Sequence, residues 1–430
     1  MLAFWLAVST AVQAQQYVFR AFRQAEGLKN LAINDLAPDR HGFLWVATEN
    51  GVYRFLGAGF ERFGPEQGIA ELNVRAVLVA PDDTVWAATL ANLYHWDGDR
   101  FVAAAHDPIP IASWNDIVVE DAHHLLIVKE AQLYRLEHDD QNRMISLLPV
   151  FSGSQVTDRP DLAKVSSVSV VHDPAASVQV WIGCGKKLCS WVEPDTAAGM
   201  RPPPGKIEEW GEKQGLASVP WESVFLDRAG TLWARGRNYV AVLPPLARRF
   251  VDRSIPGSTG GSVYAHAAFI QDREGRVLAP AEDGIARWDG SRWGSIGKAN
   301  GLQVTGSVVR MVFDTAGDPW IATRGDGLLE WAGYDYWEGW NDTATLPSAD
   351  VWTIVPSSDR VYLGTDKGPA WVDLRTGNAG ALSHLRPWPF GPLYTLGANK
   401  DGTLWGGTKS ASVLVIDPRS GNTKQTATLP

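Results

Sequence analysis

The sequence predicts an all-β fold, a β-propeller of four-stranded antiparallel blades, on three observations. A tryptophan returns at a period of about 40 to 45 residues, the length of one blade. Each return follows an Asp-turn-Gly. Asp39-Arg40-His41-Gly42-Phe43-Leu44-Trp45 recurs as Asp227-Arg228-Ala229-Gly230-Thr231-Leu232-Trp233 and as Asp314-Thr315-Ala316-Gly317-Asp318-Pro319-Trp320. With Asn399 in the first place it recurs as Asn399-Lys400-Asp401-Gly402-Thr403-Leu404-Trp405, while Trp86 follows a turn that reads one residue shorter, Pro81-Asp82-Asp83-Thr84-Val85. Around each copy lie short runs in which apolar residues alternate, the period of a half-buried strand.

Each unit opens on Gly-Leu or a similar pair: Gly27-Leu28, Gly68-Ile69, Gly215-Leu216, Gly301-Leu302. A strand rich in Val and Ile follows, such as 32–36 or Val308–Phe313. The Asp-x-x-Gly turn comes next. Asp can bond the backbone two residues on, and Gly accepts positive φ, so the pair suits a tight hairpin. The second strand reads Leu-Trp-x-x-Thr, as in Leu44–Thr48, Val85–Thr89, Pro319–Thr323 and Leu404–Thr408. Gly51–Phe55 and Gly284–Trp288 exemplify the third strand, and Phe60–Phe63, Phe101–Ala103, 292–295 and 336–340 the fourth.

Both faces of a blade are covered by its neighbours. Trp45, Trp86, Trp181, Trp233, Trp320 and Trp405 are therefore read as wedges between blades. Burying one such indole contributes roughly 2–3 kcal/mol from area alone. Weaker copies carry Leu126, Leu278 and Tyr362 in the tryptophan's place, which gives nine units, anchored at 45, 86, 126, 181, 233, 278, 320, 362 and 405. Two longer intervals hold insertions near 155–164 and 196–206, the latter with Pro202-Pro203-Pro204.

Residues 1–14 read as a signal peptide: an apolar run from Leu2 to Val12, then small residues at Val12-Gln13-Ala14. The strand 17–22 is a fourth strand without its own blade, and propellers close by pairing such a strand with the last blade. The expected division is one seven-bladed β-propeller over 15–344 and the first two blades of a second over 345–430; a single nine-bladed ring is the alternative.

The chain has 430 residues, 45% of them hydrophobic, and a net charge of -9. The acidic balance argues against a general nucleic-acid surface. No run approaches the ~18 apolar residues of a spanning helix. Cys184 and Cys189 align with Thr48 and Tyr53 on opposite arms of one hairpin and are a disulfide candidate in an exported chain. They have no His partners at metal-ligand spacing, so no metal and no cofactor is expected.

The stretch from Gly27-Leu28 through Asp39-Arg40-His41-Gly42-Phe43-Leu44-Trp45-Val46-Ala47-Thr48-Glu49-Asn50-Gly51-Val52-Tyr53-Arg54-Phe55, and again 314–330, resembles the two-component-regulator propeller repeat. The resemblance covers nearly the whole mature chain. It implies an exported propeller, often in tandem, followed by a small β-sandwich, one membrane helix and a cytoplasmic output domain. That output is a histidine kinase or a diguanylate cyclase, and the first repeats lean towards the cyclase. It further implies a periplasmic region held at the inner membrane only through a C-terminal part beyond these residues, and a dimer in the full-length protein.

No catalytic constellation is evident: there is no Gly-x-Ser-x-Gly elbow, no His-Glu-x-x-His and no Gly-Lys-Ser/Thr phosphate loop. The binding expectation rests on geometry, because residues at the start of each first strand ring a propeller's axial funnel. Those positions are read as Asn34, Asn73, Trp114, Trp221, Tyr264, Trp352 and Tyr394. Aromatics with amides suit a small-molecule ligand such as a carbohydrate or aromatic metabolite; a periplasmic protein is the other partner class. The leading function is a ligand-sensing module of a membrane signal-transduction protein. A free periplasmic propeller enzyme (lyase or glycan hydrolase) and a protein-docking scaffold are the alternatives.

Overall fold

The computed structural model describes residues 16–172, 178–193, 204–258, 269–282, 284–334, 338–339, 346–374 and 378–428. Among them are nine four-stranded antiparallel sheets and one two-stranded ladder. They fall into two compact units. The larger, 19–298 with 302–334, holds seven sheets. Their second strands are Leu44–Thr48, Val85–Thr89, His124–Lys129, Val178–Cys184, Leu232–Gly236, Val277–Ala281 and Pro319–Thr323, and each contains its expected anchor.

Six of these sheets are built from consecutive strands. The seventh is not: Phe19–Phe22 pairs with Leu328–Trp331 and supplies its fourth strand. The expected fourth strand at 336–340 therefore lies elsewhere, with Glu338–Gly339 paired to Gln16–Tyr17 in the smaller unit. Phe22 carries the junction inward. It stacks on Trp320 of the seventh sheet and meets Phe55 of the first edge-on. One buried cluster joins Leu36, Val46 and Phe55 of the first sheet to Val309, Trp320 and Ala322 of the seventh.

The repeat's aspartate does more than turn the chain. Asp39 Oδ1 accepts the His41 and Phe43 amides, while Oδ2 accepts the Trp45 indole N–H at 2.9 Å. Asp227–Trp233 and Asp314–Trp320 repeat this bond at 2.9 Å. A buried N–H without an acceptor costs about 1–3 kcal/mol, so the turn acid and the wedge form one device. Sequence reasoning saw the turn but not the bond.

The degenerate units show the device being repaired. At Trp86 the turn is not shorter. Ala80 stands in the acid's place, with its amide bonded to Thr84 O as Asp39's is to Phe43 O, and Asp83 takes the left-handed glycine position at φ 75°. The Trp86 indole N–H consequently has no acceptor. In the third sheet Leu126 replaces the tryptophan, and Arg135 on the next strand bonds the orphaned acid, Glu120, with two contacts of 2.7 Å. In the sixth sheet Leu278 replaces it, and Tyr334 Oη and Arg276 Nε both donate to Asp272. Tyr334 is pushed far above its ordinary pKa, first by burial and then by that carboxylate.

Between the second and third sheets, Trp86 packs against His95 and His138, both buried. Neither ring nitrogen of His95 has a hydrogen-bond partner. Burial lowers both pKa values below 6.5; Asp97, Asp139 and Asp82 pull them up, and His123 and His124 push them down. Histidines with depressed folded pKa values contribute stability that is full above the unfolded value and lost as pH falls through it. The melting temperature should therefore drop between about pH 7 and pH 5, above the carboxylate range. A His95→Phe variant should flatten that slope; an unchanged slope would remove the histidines as its cause.

The smaller unit holds the sheets Val351–Pro356 to Ala379–Ala381 and Leu393–Ala398 to Thr423–Thr428, joined through Leu393, Leu404, Leu414 and Ile416 with Tyr362 and Trp371 against them. Five of the six expected wedges are at most 4% exposed, but Trp405 is 46% exposed. No second described sheet of this unit covers its face, so this indole departs from the wedge reading.

Candidate functional site

A β-bulge recurs near the start of the first strands. In the first sheet Ile33 faces Thr48 and Asp35 faces Ala47, so Asn34 is the extra residue. The same slip singles out Arg75, Ser166, Glu222 and Val309 in the larger unit, and Trp352 and Tyr394 in the smaller. A bulge twists the strand and re-aims the extra side chain, commonly beside a binding site.

Four of these residues lie in the wall of one cavity of the larger unit, ≈ 310 Å³. Asn34, Arg75, Ser166 and Val309 line it with Arg324 and the turn Trp114–Asp116 that precedes the third sheet. Asn34 is held firmly: its amide donates to Asn73 Oδ1 at 3.2 Å and Val74 O at 2.7 Å, and its oxygen accepts from Arg324 at 3.0 Å. Arg324 also pairs with Glu49. Behind the wall, Arg310 lies 4.9 Å over the Trp114 ring and 3.3 Å from Asp35. Burial pushes the Asp35 carboxyl up, against Arg310 and the Leu36 and Val77 amides. Asn115 spans towards the fourth and fifth sheets, with longer contacts of 3.4 Å to Ser166 O and 3.5 Å to Glu222 O.

The expected funnel residues separate accordingly. Asn34 and Trp114 line the cavity, and Asn73 buttresses Asn34. Trp221 is not in this wall; it borders a separate cavity of ≈ 320 Å³ with Leu216 and Tyr239. It faces Gly236 in the ladder and is 0% exposed in the core between the fourth and fifth sheets; Glu222, one residue on, occupies the bulge. Tyr264 lies outside the described residues. In the smaller unit Trp352 and Tyr394 meet edge-to-face at 5.0 Å, 54% and 39% exposed, with the indole N–H on Asp366. Arg75, Ser166, Glu222 and Arg324 were missed. A usable signal exists for five of the seven bulges, which lie fourteen residues before the last residue of the second strand, as Asn34 does before Thr48, Arg75 before Thr89 and Glu222 before Gly236; Ser166 and Trp352 depart from it.

Two side-chain groups bring potential metal ligands together among the described residues: Glu120-Asp121-His124 and Asp161-Cys184-Cys189. In the first, Glu120 is already bound twice by Arg135. In the second, Cys184 and Cys189 are joined as a disulfide, both buried, with Arg159 against Cys189 and Asp161.

Residues 27–50 match the family described as Two component regulator propeller. This segment is similar to that repeat. It spans the Gly27-Leu28 opening, the first strand with its bulge at Asn34, the Asp39 turn and the Trp45 strand. A stretch of 64 residues, 14% of this chain, is 36% identical to a histidine kinase, P4, of Formosa agariphila and covers 5% of that protein. Solved propeller-repeat structures give the wider likeness. The extracellular domain of BT3049 from B. thetaiotaomicron, described as a hybrid two component system, superposes with a TM-score of 0.61 at 17% identity, over 96% of this chain and 55% of that one. That of BT4673 from the same organism gives 0.56 at 13%, over 95% and 53%. The chain thus spans about half the length of these structures, and the likeness establishes the fold. Both neighbours are extracellular domains; no helix among the described residues here is long and apolar enough to cross a membrane.

Proposed function

We propose that this chain is the extracytoplasmic ligand-sensing region of a membrane-bound signal-transduction protein, with its ligand site at the bulge residues around Asn34, Arg75 and Trp114. The observation that carries this reading is the recurrent bulge. Five sheets spend one irregular residue each at the same ladder position, and four of those residues meet at one cavity. Packing does not require such a residue, whereas presenting side chains to a ligand does.

On this reading the seven sheets form one ring, closed by Phe19–Phe22, and the two further sheets begin a second propeller whose funnel would take Trp352 and Tyr394. The relatives weigh towards a histidine kinase output over the diguanylate cyclase that the first repeats suggest, since both kinds of comparison lead to two-component proteins. Reading the gene past the codon for Pro430 tests this. Further repeats, one apolar helix and a kinase domain are the expected result. A stop codon there would overturn the sensor reading and favour a free propeller enzyme or scaffold.

A further inference from the structure

We propose that the bulge cavity binds an oxyanion, a carboxylate in the first instance, through Arg75; this rests on the reading of that cavity as the ligand site. Three guanidinium groups stand at or behind its wall, and two are matched. Arg324 pairs with Glu49 and Asn34. Arg310 pairs with Asp35 and covers the Trp114 ring. Arg75 differs. It is half-buried in the same wall and has neither an ion pair nor a side-chain hydrogen bond among the described residues; its Nε, like that of Arg310, is closed off from solvent without an acceptor, but Arg310 at least has Asp35 beside it. Asp116 also faces the cavity, but it has an interaction of its own and none joins it to Arg75.

An unmatched guanidinium in a partly closed site is costly unless something supplies acceptors, and with Nε shut off even from water a ligand in the cavity would meet the two Nη groups. Arg75 sits on the bulge between the first sheet and the turn Trp114–Asp116, with the Asn34 and Asn115 amides as neighbours in the wall. Asn34 is fixed by three bonds, whereas the two contacts of the buried Asn115 are long, 3.4 and 3.5 Å, so its amide is the more weakly held of the two. A planar carboxylate can take two parallel N–H donors from one guanidinium, which a neutral hydroxyl or amide cannot match. The ligand class is then a small polar molecule bearing a carboxylate, with its uncharged part against Trp114.

Acetate and acetamide have nearly the same shape and differ in charge, and inorganic phosphate offers a tetrahedral oxyanion. Each would be titrated into the full chain while following the Arg75 Nε–H resonance, with Arg75→Gln and the exposed-site control Arg100→Gln in parallel. The expected result is saturable movement of the Arg75 signal with acetate, at least about tenfold weaker binding of acetamide, and loss of acetate binding in Arg75→Gln but not in Arg100→Gln. Tighter phosphate than acetate would keep the oxyanion and reassign the ligand as a phosphorylated or sulfated one. Equal acetate and acetamide binding, untouched by Arg75→Gln, would overturn the anion and leave the cavity as a ligand site. No movement of the Arg75 signal with any probe would overturn both, and it is read on the unmutated protein, so it does not depend on the variant folding.

Discussion

Replacing Arg135 with alanine is expected to cost about 3–5 kcal/mol of stability, the scale for removing one partner of a buried ion pair. Arg135 is 8% exposed and holds two buried glutamates, Glu120 through both oxygens and Glu193 at 2.7 Å. Glu193 also accepts the Trp191 indole N–H at 2.6 Å, so the pair reaches into the fourth sheet. Without the guanidinium, two carboxylates face one another in an apolar wedge. Their protonation would relieve the repulsion, so the deficit of the variant, measured by urea unfolding, should shrink as pH falls from about 7 to about 4. Substituting all three by apolar residues of similar volume should recover most of the loss. A pH-independent deficit would mean that lost packing, not charge, dominates.

The fold was legible because its signal is periodic. Nine anchors were read from the tryptophans and their weak copies, and each falls inside a second strand, down to Leu126, Leu278 and Tyr362. Repetition lets six copies that carry the tryptophan correct three that lack it. What was not legible is what each copy does with a lost residue. Glu120 and Asp272 look like surface turn acids in the sequence, yet both are buried and must be matched by Arg135, Arg276 or Tyr334. Arg276 is four residues from Asp272, but Arg135 comes from another strand and Tyr334 from 62 residues away. Spacing within the repeat carries no trace of the bond from Tyr334.

Which residue takes the bulge was legible only in part, for a related reason. Side chains alternate along a strand, so a slip of one residue exchanges funnel for core. Aromatic character favoured Trp221, but the ladder pairs Trp221 with Gly236 and leaves Glu222 on the bulge. At Asn34, Trp352 and Tyr394 the residue chosen for its chemistry was also the bulged one. The ladder position, rather than residue type, therefore decides which residue is bulged. Asn73 shows the intermediate case: two residues from the bulge, it acts by holding Asn34 in place.

Trp221 and Trp352 make that distinction measurable. Trp221→Ala should destabilise the chain by about 3–5 kcal/mol, because its fully buried indole fills the space between the fourth and fifth sheets beside Trp210 and Phe250. Its indole N–H has no acceptor, which trims the loss slightly, since no hydrogen bond disappears with the ring. Trp352 is 54% exposed and bonded only at its rim, to Asp366. Trp352→Ala should therefore shift the unfolding midpoint by no more than about 1 kcal/mol, within the range of exposed positions. Chemical unfolding followed by circular dichroism separates the two cases. Were Trp221→Ala to leave the midpoint unchanged, the indole would not be core, and the funnel placement read from its aromatic character would stand in place of the bulge rule.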